Sequence, residues 1–152
     1  MHRVLPFLVI IAVVWGGCSS SAGLIFKDVV DVPKDRCVVY VYRPDDEKGT
    51  EFDMRCNGEE ICVLEKATYM PLYVQPGKVE ISSLVRFKLF STGLLDPALA
   101  GPSECVFTGE AGRTYFVECL ANQSAGQRLS ISVVPERYAR IRIRECRLRN
   151  MD

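Results

Sequence analysis

The rhythm of apolar and polar residues changes several times along the chain, and the changes mark its elements. Val4 to Trp15 is an uncharged, mostly apolar run. From Arg36 to Arg43 the segment Arg-Cys-Val-Val-Tyr-Val-Tyr-Arg is dense in β-branched and aromatic residues and stops at Pro44, whose missing N–H ends a ladder. It reads as a central strand. Asp45 to Thr50 is a polar loop, and Glu51–Cys56 and Ile61–Leu64 flank Asn57-Gly58, the strongest two-residue hairpin signal. Over Ala67–Val74, Thr68, Met70, Leu72 and Val74 alternate with Tyr69 and Tyr73, and Gln75-Pro76-Gly77 turns into Lys78–Ser83 as a second hairpin. Cys105–Thr108 and Arg113–Cys119 around Gly109–Gly112 make a third, and Leu129–Val134 adds a last strand before Pro135.

Seven or eight short strands separated by Gly and Pro turns predict an all-β fold, an antiparallel two-layer β-sandwich, because one sheet with a wet face could not bury so many apolar residues. The chain shows no βαβ pattern and no glycine loop that would cradle a phosphate. Arg140-Ile141-Arg142-Ile143-Arg144 alternates like a strand, yet Pro135 at a helix start, Glu136 after it and a last turn rich in arginine suit the helix dipole. A short C-terminal helix is the expectation.

Composition narrows the function classes. The 152 residues carry 19 basic and 19 acidic side chains, which excludes a nucleic-acid binder relying on overall positive charge. The one histidine is His2, inside a segment expected to be removed, so the mature chain would hold no imidazole. Nucleophilic catalysis would then need Lys or a carboxylate as base, and no motif places one. No catalytic residue, metal site or cofactor is expected; a secreted or lipidated enzyme with a histidine-free site is the alternative, and a purely structural surface protein a third reading. The acidic cluster Asp45, Asp46 and Glu47 lacks the alternating oxygen spacing of calcium loops and reads as solvated. The six tyrosines read as half-buried strand residues with the hydroxyl at the edge, the rival being a sugar-stacking platform.

His2 and Arg3 followed by the apolar run and Gly16-Gly17-Cys18 have the layout of a secretory signal, and the run is too short for a span of about 20 residues. Trp15-Gly16-Gly17-Cys18 resembles the lipobox of bacterial lipoproteins, departing from it at Trp15, where an aliphatic residue is usual. The resemblance implies a signal peptide over 1–17 and a diacylglycerol on Cys18, with Ser19, Ser20, Ser21 and Gly23 opening a tether over 18–35. It also implies a place on the bacterial outer membrane facing the periplasm. A cut after Ala22 would instead free a secreted or periplasmic protein. With Cys18 acylated, Cys37, Cys56, Cys62, Cys105, Cys119 and Cys146 remain, an even set of candidate disulfide partners in an oxidising compartment. Zinc is the rival, without a Cys-x-x-Cys pair or a mature histidine; buried small apolar residues are the plain alternative. Regular hairpins would set Cys56 opposite Glu59 and Cys62 opposite Asp53, the two thiols on opposite faces, and Cys105 opposite Phe116, so any bridges should be long-range.

Val39 to Pro44 (Val-Tyr-Val-Tyr-Arg-Pro), Asn57-Gly58, Thr68-Tyr69, Val74-Gln75-Pro76-Gly77-Lys78 and Ala111-Gly112-Arg113-Thr114-Tyr115-Phe116, in this order, resemble an uncharacterised family of bacterial lipoproteins, and are similar to small prealbumin-like and PEGA-type envelope β-domains. The resemblance implies a β-sandwich domain over 36–134 with an arginine-rich, helical tail over 135–152, and no chemistry. Two stretches could meet an envelope protein or cell-wall component. Phe90, Leu94, Leu95 and Leu99 lie among Gly and Pro between Leu89 and Pro102, as a lid on the sandwich or a docking surface. Arg140, Arg142 and Arg144 belong to a cationic tail that could meet phosphates or carboxylates, or pair with the domain's own acids.

Overall fold

The computed structural model describes residues 24–29, 31–46, 50–86, 102–121 and 129–149; Cys18, Phe90, Leu94, Leu95 and Leu99 lie outside them. The strands are β1 (Cys37–Arg43), β2 (Phe52–Cys56), β3 (Glu59–Leu64), β4 (Thr68–Val74), β5 (Gly77–Val85), β6 (Ser103–Gly109), β7 (Thr114–Ala121), β8 (Leu129–Val134) and β9 (Arg147–Leu148). Helix α1 (Glu136–Arg142) and a 3₁₀ turn (Ile143–Glu145) precede β9. A five-stranded sheet, β8-β7-β1-β4-β9, faces a four-stranded sheet, β3-β2-β5-β6. The all-β sandwich and the short C-terminal helix read from the sequence are thus the fold. Two pairings in the larger sheet, β1 with β7 and β4 with β9, are parallel.

β1 organises both layers. All seven of its residues are buried, although a strand with one wet face would alternate. Cys37, Val39 and Val41 pack with Phe52, Met54, Val79 and Ile81 in the core between the sheets. Val38, Tyr40 and Tyr42 point the other way and join Tyr69, Phe116, Ala139, Ile143 and Cys146. The nearly unbroken apolar run of β1 therefore reflects two buried faces.

Of the three expected hairpins, the first exists. Asn57 and Gly58 take positive φ of 50° and 85°, as a two-residue turn matched to strand twist requires. The other two are corrected: β4 and β5 lie in different sheets, as do β6 and β7, so Gln75-Pro76-Gly77 and Gly109–Gly112 carry the chain across the sandwich. Long-range pairing decides this. The Gly112 N–H donates to the Arg36 carbonyl at 2.8 Å and the Val38 N–H to the Arg113 carbonyl at 2.9 Å, which delivers β7 to β1 as a parallel neighbour. Cys105 consequently faces Ile81 on β5, not Phe116. β5 with β6 and β7 with β8 are the antiparallel pairs the chain forms instead.

The face assignment of two cysteines is also corrected. Cys56 pairs with Glu59 as expected, but the register shifts between Met54 and Arg55, and Cys62 then faces Met54 rather than Asp53. Directly opposed residues share a face, so this β-bulge turns Cys62 to the side of Met54 and Cys56. Both pack against the inter-sheet core.

Gly109 ends β6 where the chain crosses between sheets. A Cβ there would sit 2.8 Å from the Cys37 sulfur and 3.1 Å from a Val79 methyl, so only glycine fits without displacing the core. Gly109→Ala should destabilise the domain by about 1–3 kcal/mol through overpacking. Urea unfolding will show it, and adding Cys37→Ala should recover most of the loss. A single variant as stable as the parent would contradict this packing.

Candidate functional site

The second face of the larger sheet carries a third layer, built from both ends of the described chain. Phe26 stands edge-on to Tyr40 and Tyr69, with ring centroids 5.3 and 5.2 Å away, while Tyr40 stacks on Phe116 at 5.2 Å. The tyrosine hydroxyls continue past the rings to the covering backbone. Val29 N–H donates to Tyr40 Oη at 2.7 Å and Lys27 N–H to Tyr69 Oη at 3.4 Å. Tyr40 and Tyr69 thus serve packing with a polar tip, the plainer of the two sequence readings, whereas Tyr73 and Tyr138 are exposed. Phe26 N–H donates to the Cys146 carbonyl at 3.2 Å and Leu148 N–H to the Leu24 carbonyl at 2.7 Å. Phe26, Val29 and Val32 pack into the aromatic cluster, so the second half of the stretch assigned to a tether is part of the folded body.

Helix α1 is held by ion pairs as well as by Ala139. Glu118 on β7 is only 3% exposed and lies beside Tyr42 of β1 in the parallel register. Tyr42 Oη donates to Glu118 Oε1 at 3.0 Å, and Arg142 Nε lies 3.0 Å from the same oxygen. Burial, with the Glu118 carboxylate beside it, drives the Tyr42 phenol far above its ordinary range. Arg142 Nη1 also donates to Tyr138 Oη at 2.7 Å, its guanidinium 5.6 Å from that ring's centroid. Arg140 pairs with Asp28 and, at 2.7 Å, with Glu136, and lies over the Phe116 ring. Two of the three arginines singled out in the tail therefore bind the domain's own acids. Arg144 is exposed and, like Arg137, makes no ion pair among the described residues.

A buried cation closes one end of the inter-sheet core. Arg43, at the end of β1, is fully buried and grips Asp46 through Nε at 2.8 Å and Nη2 at 2.6 Å. Its Nη1 donates to the Thr50 carbonyl, and the guanidinium lies 5.2 Å from the Phe52 ring centroid. Asp46, expected in a solvated acidic loop, is instead the counterion of a core arginine. This pair was missed; an arginine as the last residue of an apolar strand, three positions before an acid, was the signal available.

Cys37, Cys56, Cys62, Cys105, Cys119 and Cys146 are all free thiols, so the candidate disulfides are not formed in this structure. All but Cys105 belong to or pack against the two cores as small residues with weak donors: the Cys37 thiol points at the Val74 carbonyl and that of Cys146 at the Arg43 carbonyl, each at 3.4 Å. Burial raises the pKa of Cys37, Cys56, Cys62, Cys119 and Cys146, that of Cys62 to about 11 and that of Cys146 to about 12. Among the described residues no group of three or more His, Cys, Asp or Glu side chains could hold a metal ion. No described helix is long and apolar enough to cross a membrane.

Arg142→Met leaves Glu118 buried with only Tyr42 as donor and should cost about 2 kcal/mol, below the range for a fully buried pair because Arg142 is partly solvated. In a double-mutant cycle with Glu118→Gln the two changes should couple by at least about 0.5 kcal/mol; strict additivity would show that the pair does not act as one. The thiols set an alkaline limit. A raised folded pKa favours the neutral form, so this stabilisation is complete below the ordinary thiol value of 9.0 and is lost as pH rises towards 11 and 12. The urea midpoint should fall above about pH 9, and Cys146→Ala should make that decline shallower. An identical slope in the variant would refute the assignment.

Compared with protein-family models, with curated proteins and with solved structures, the chain matches none.

Proposed function

We propose that this protein is a non-enzymatic cell-envelope lipoprotein. A diacylglycerol on Cys18 holds it at the bacterial outer membrane facing the periplasm, and its β-domain binds an envelope protein or a cell-wall component. The observation that carries the reading is the cationic start and apolar run ending in Gly16-Gly17-Cys18. Small residues there give a peptidase an unencumbered backbone, and the thiol supplies the nucleophile for the lipid. Each buried methylene contributes about 0.8 kcal/mol, so two or three acyl chains hold a protein on a bilayer essentially permanently. The domain is then free to serve as a binding module. Phe90, Leu94, Leu95 and Leu99 are the proposed contact residues.

Mass spectrometry of the mature protein, with membrane fractionation of the parent and Cys18→Ser, tests the proposal. The parent should begin at an acylated Cys18 and sediment with membranes; the variant should be neither acylated nor cut there. A free N-terminus at Gly23, or membrane association unchanged by the serine, would overturn it.

A further inference from the structure

We propose that the third layer, the outer side of helix α1 together with the Leu24 end of the N-terminal segment, rests on the phospholipid surface that holds the anchor. The inference rests on the lipoprotein reading and adds the orientation of the folded domain. Chain length supplies the first argument. Leu24 is six residues beyond Cys18, so at 3.3–3.6 Å per residue the segment can reach at most about 22 Å even when fully extended. The end of that leash is fixed to the body: Leu24 and Phe26 are hydrogen-bonded to Leu148 and Cys146, immediately after the 3₁₀ turn. The membrane is therefore close to the third layer and far from the outer face of the four-stranded sheet.

The surface presented there supplies the second argument. Arg137, Ile141 and Arg144 recur at helical spacing and are all exposed, Ile141 to 69%. Leu24 is 72% exposed at the point where the chain departs for Cys18. Ala139 and Arg142 occupy the inward side of the same helix, so this stripe is left over once the packing and ion pairs of the domain are satisfied. Glu136 and Asp28 are neutralised by Arg140, and Glu145 is the one exposed acid beside the stripe left without an ion pair among the described residues. Bulky apolar residues flanked by unpaired arginines suit a surface that settles among lipid phosphates, the cations on the headgroups and the apolar tips at the acyl boundary. The opposite side of the molecule is slightly acidic. Asp53, Glu60, Glu80 and Glu104 lie on β2, β3, β5 and β6, against Arg55, Lys78 and Arg86, of which Lys78 pairs with Glu80 and Arg86 with Asp53. That face offers an anionic bilayer no unpaired basic stripe comparable with Arg137 and Arg144.

The protein's own composition makes the test clean. Its one tryptophan, Trp15, lies in the segment expected to be removed, so an introduced tryptophan is the sole indole of the mature chain. The acylated full-length protein would be purified as Ile141→Trp and as Val106→Trp, the latter on β6 and 52% exposed. Each is reconstituted in vesicles of phosphatidylethanolamine and phosphatidylglycerol with brominated acyl chains, after circular dichroism has confirmed an unchanged fold. The indole at 141 should be quenched about twofold or more and that at 106 left bright, as interfacial seating of one face requires. Adding Arg137→Glu and Arg144→Glu should reverse much of the quenching at 141. Acylated, vesicle-bound protein with equal fluorescence at both positions would overturn the orientation alone. Protein that carries no lipid and does not float with vesicles would overturn the lipoprotein reading, and the orientation with it.

Discussion

The structure depends on the burial of β1 from both sides. A strand with one solvated face can hold its sheet together through a single core, but Val38, Tyr40 and Tyr42 would then present a row of large apolar groups to water. Fully burying a side chain of this size contributes roughly 1.5–3 kcal/mol, so the second face cannot stay bare without eroding the margin by which a small domain is folded. The chain meets the demand with its own ends, Phe26 to Val32 from one side and Ala139 to Cys146 from the other. What looks in the sequence like a tether and a tail is thus required by the composition of one central strand.

Polar groups then decide how those ends sit. Hydrophobic cover is tolerant of sliding; the hydrogen bonds from Tyr42 and Arg142 to Glu118 and the ion pair of Arg140 with Asp28 are not. Burying an ion pair adds little net stability over a well-packed apolar pair, but misplacing it strands a charge, so its effect is to select one register for the helix. Arg43 with Asp46 does the same for the loop after β1. No buried side-chain nitrogen or oxygen among the described residues lacks a partner, as a settled arrangement requires. Fixing the third layer in this way also fixes which residues remain outside: Arg137, Ile141 and Arg144 are exposed because Ala139, Arg140 and Arg142 are committed inward.

Eight of the nine described strands were legible to within a residue or two, since β-branched alternation and terminal prolines are local signals; β9, a two-residue pairing with Thr68 and Tyr69 inside the tail expected to be helical to its end, was not. Leu129–Val134 stands where the pattern put it, and β1 differs from the expected span only at Arg36. Pairing was not legible. Pro76-Gly77 and Gly109–Gly112 contain the residues of a tight reversal, yet a chain crossing between sheets uses the same residues, and only the competition for β1 separates the two. The bulge at Met54 and Arg55 left no mark in composition. The cationic character of the tail was plain, but the partners of Arg140 and Arg142 were not: Asp28 is 112 positions from Arg140, and nothing near Glu118 announces that it is buried. The proposed lipid site is different in kind, because Cys18 and its flanking glycines are read entirely from sequence.

The claim that the C-terminal tail completes the core is tested most directly by ending the chain after Val134 and following its thermal unfolding by near-ultraviolet circular dichroism. The account predicts that the shortened protein loses its cooperative transition and binds a hydrophobic dye, since Tyr40, Tyr42 and Phe116 lose their cover. A shortened protein that melts cooperatively at the parent's temperature, without dye binding, would contradict it.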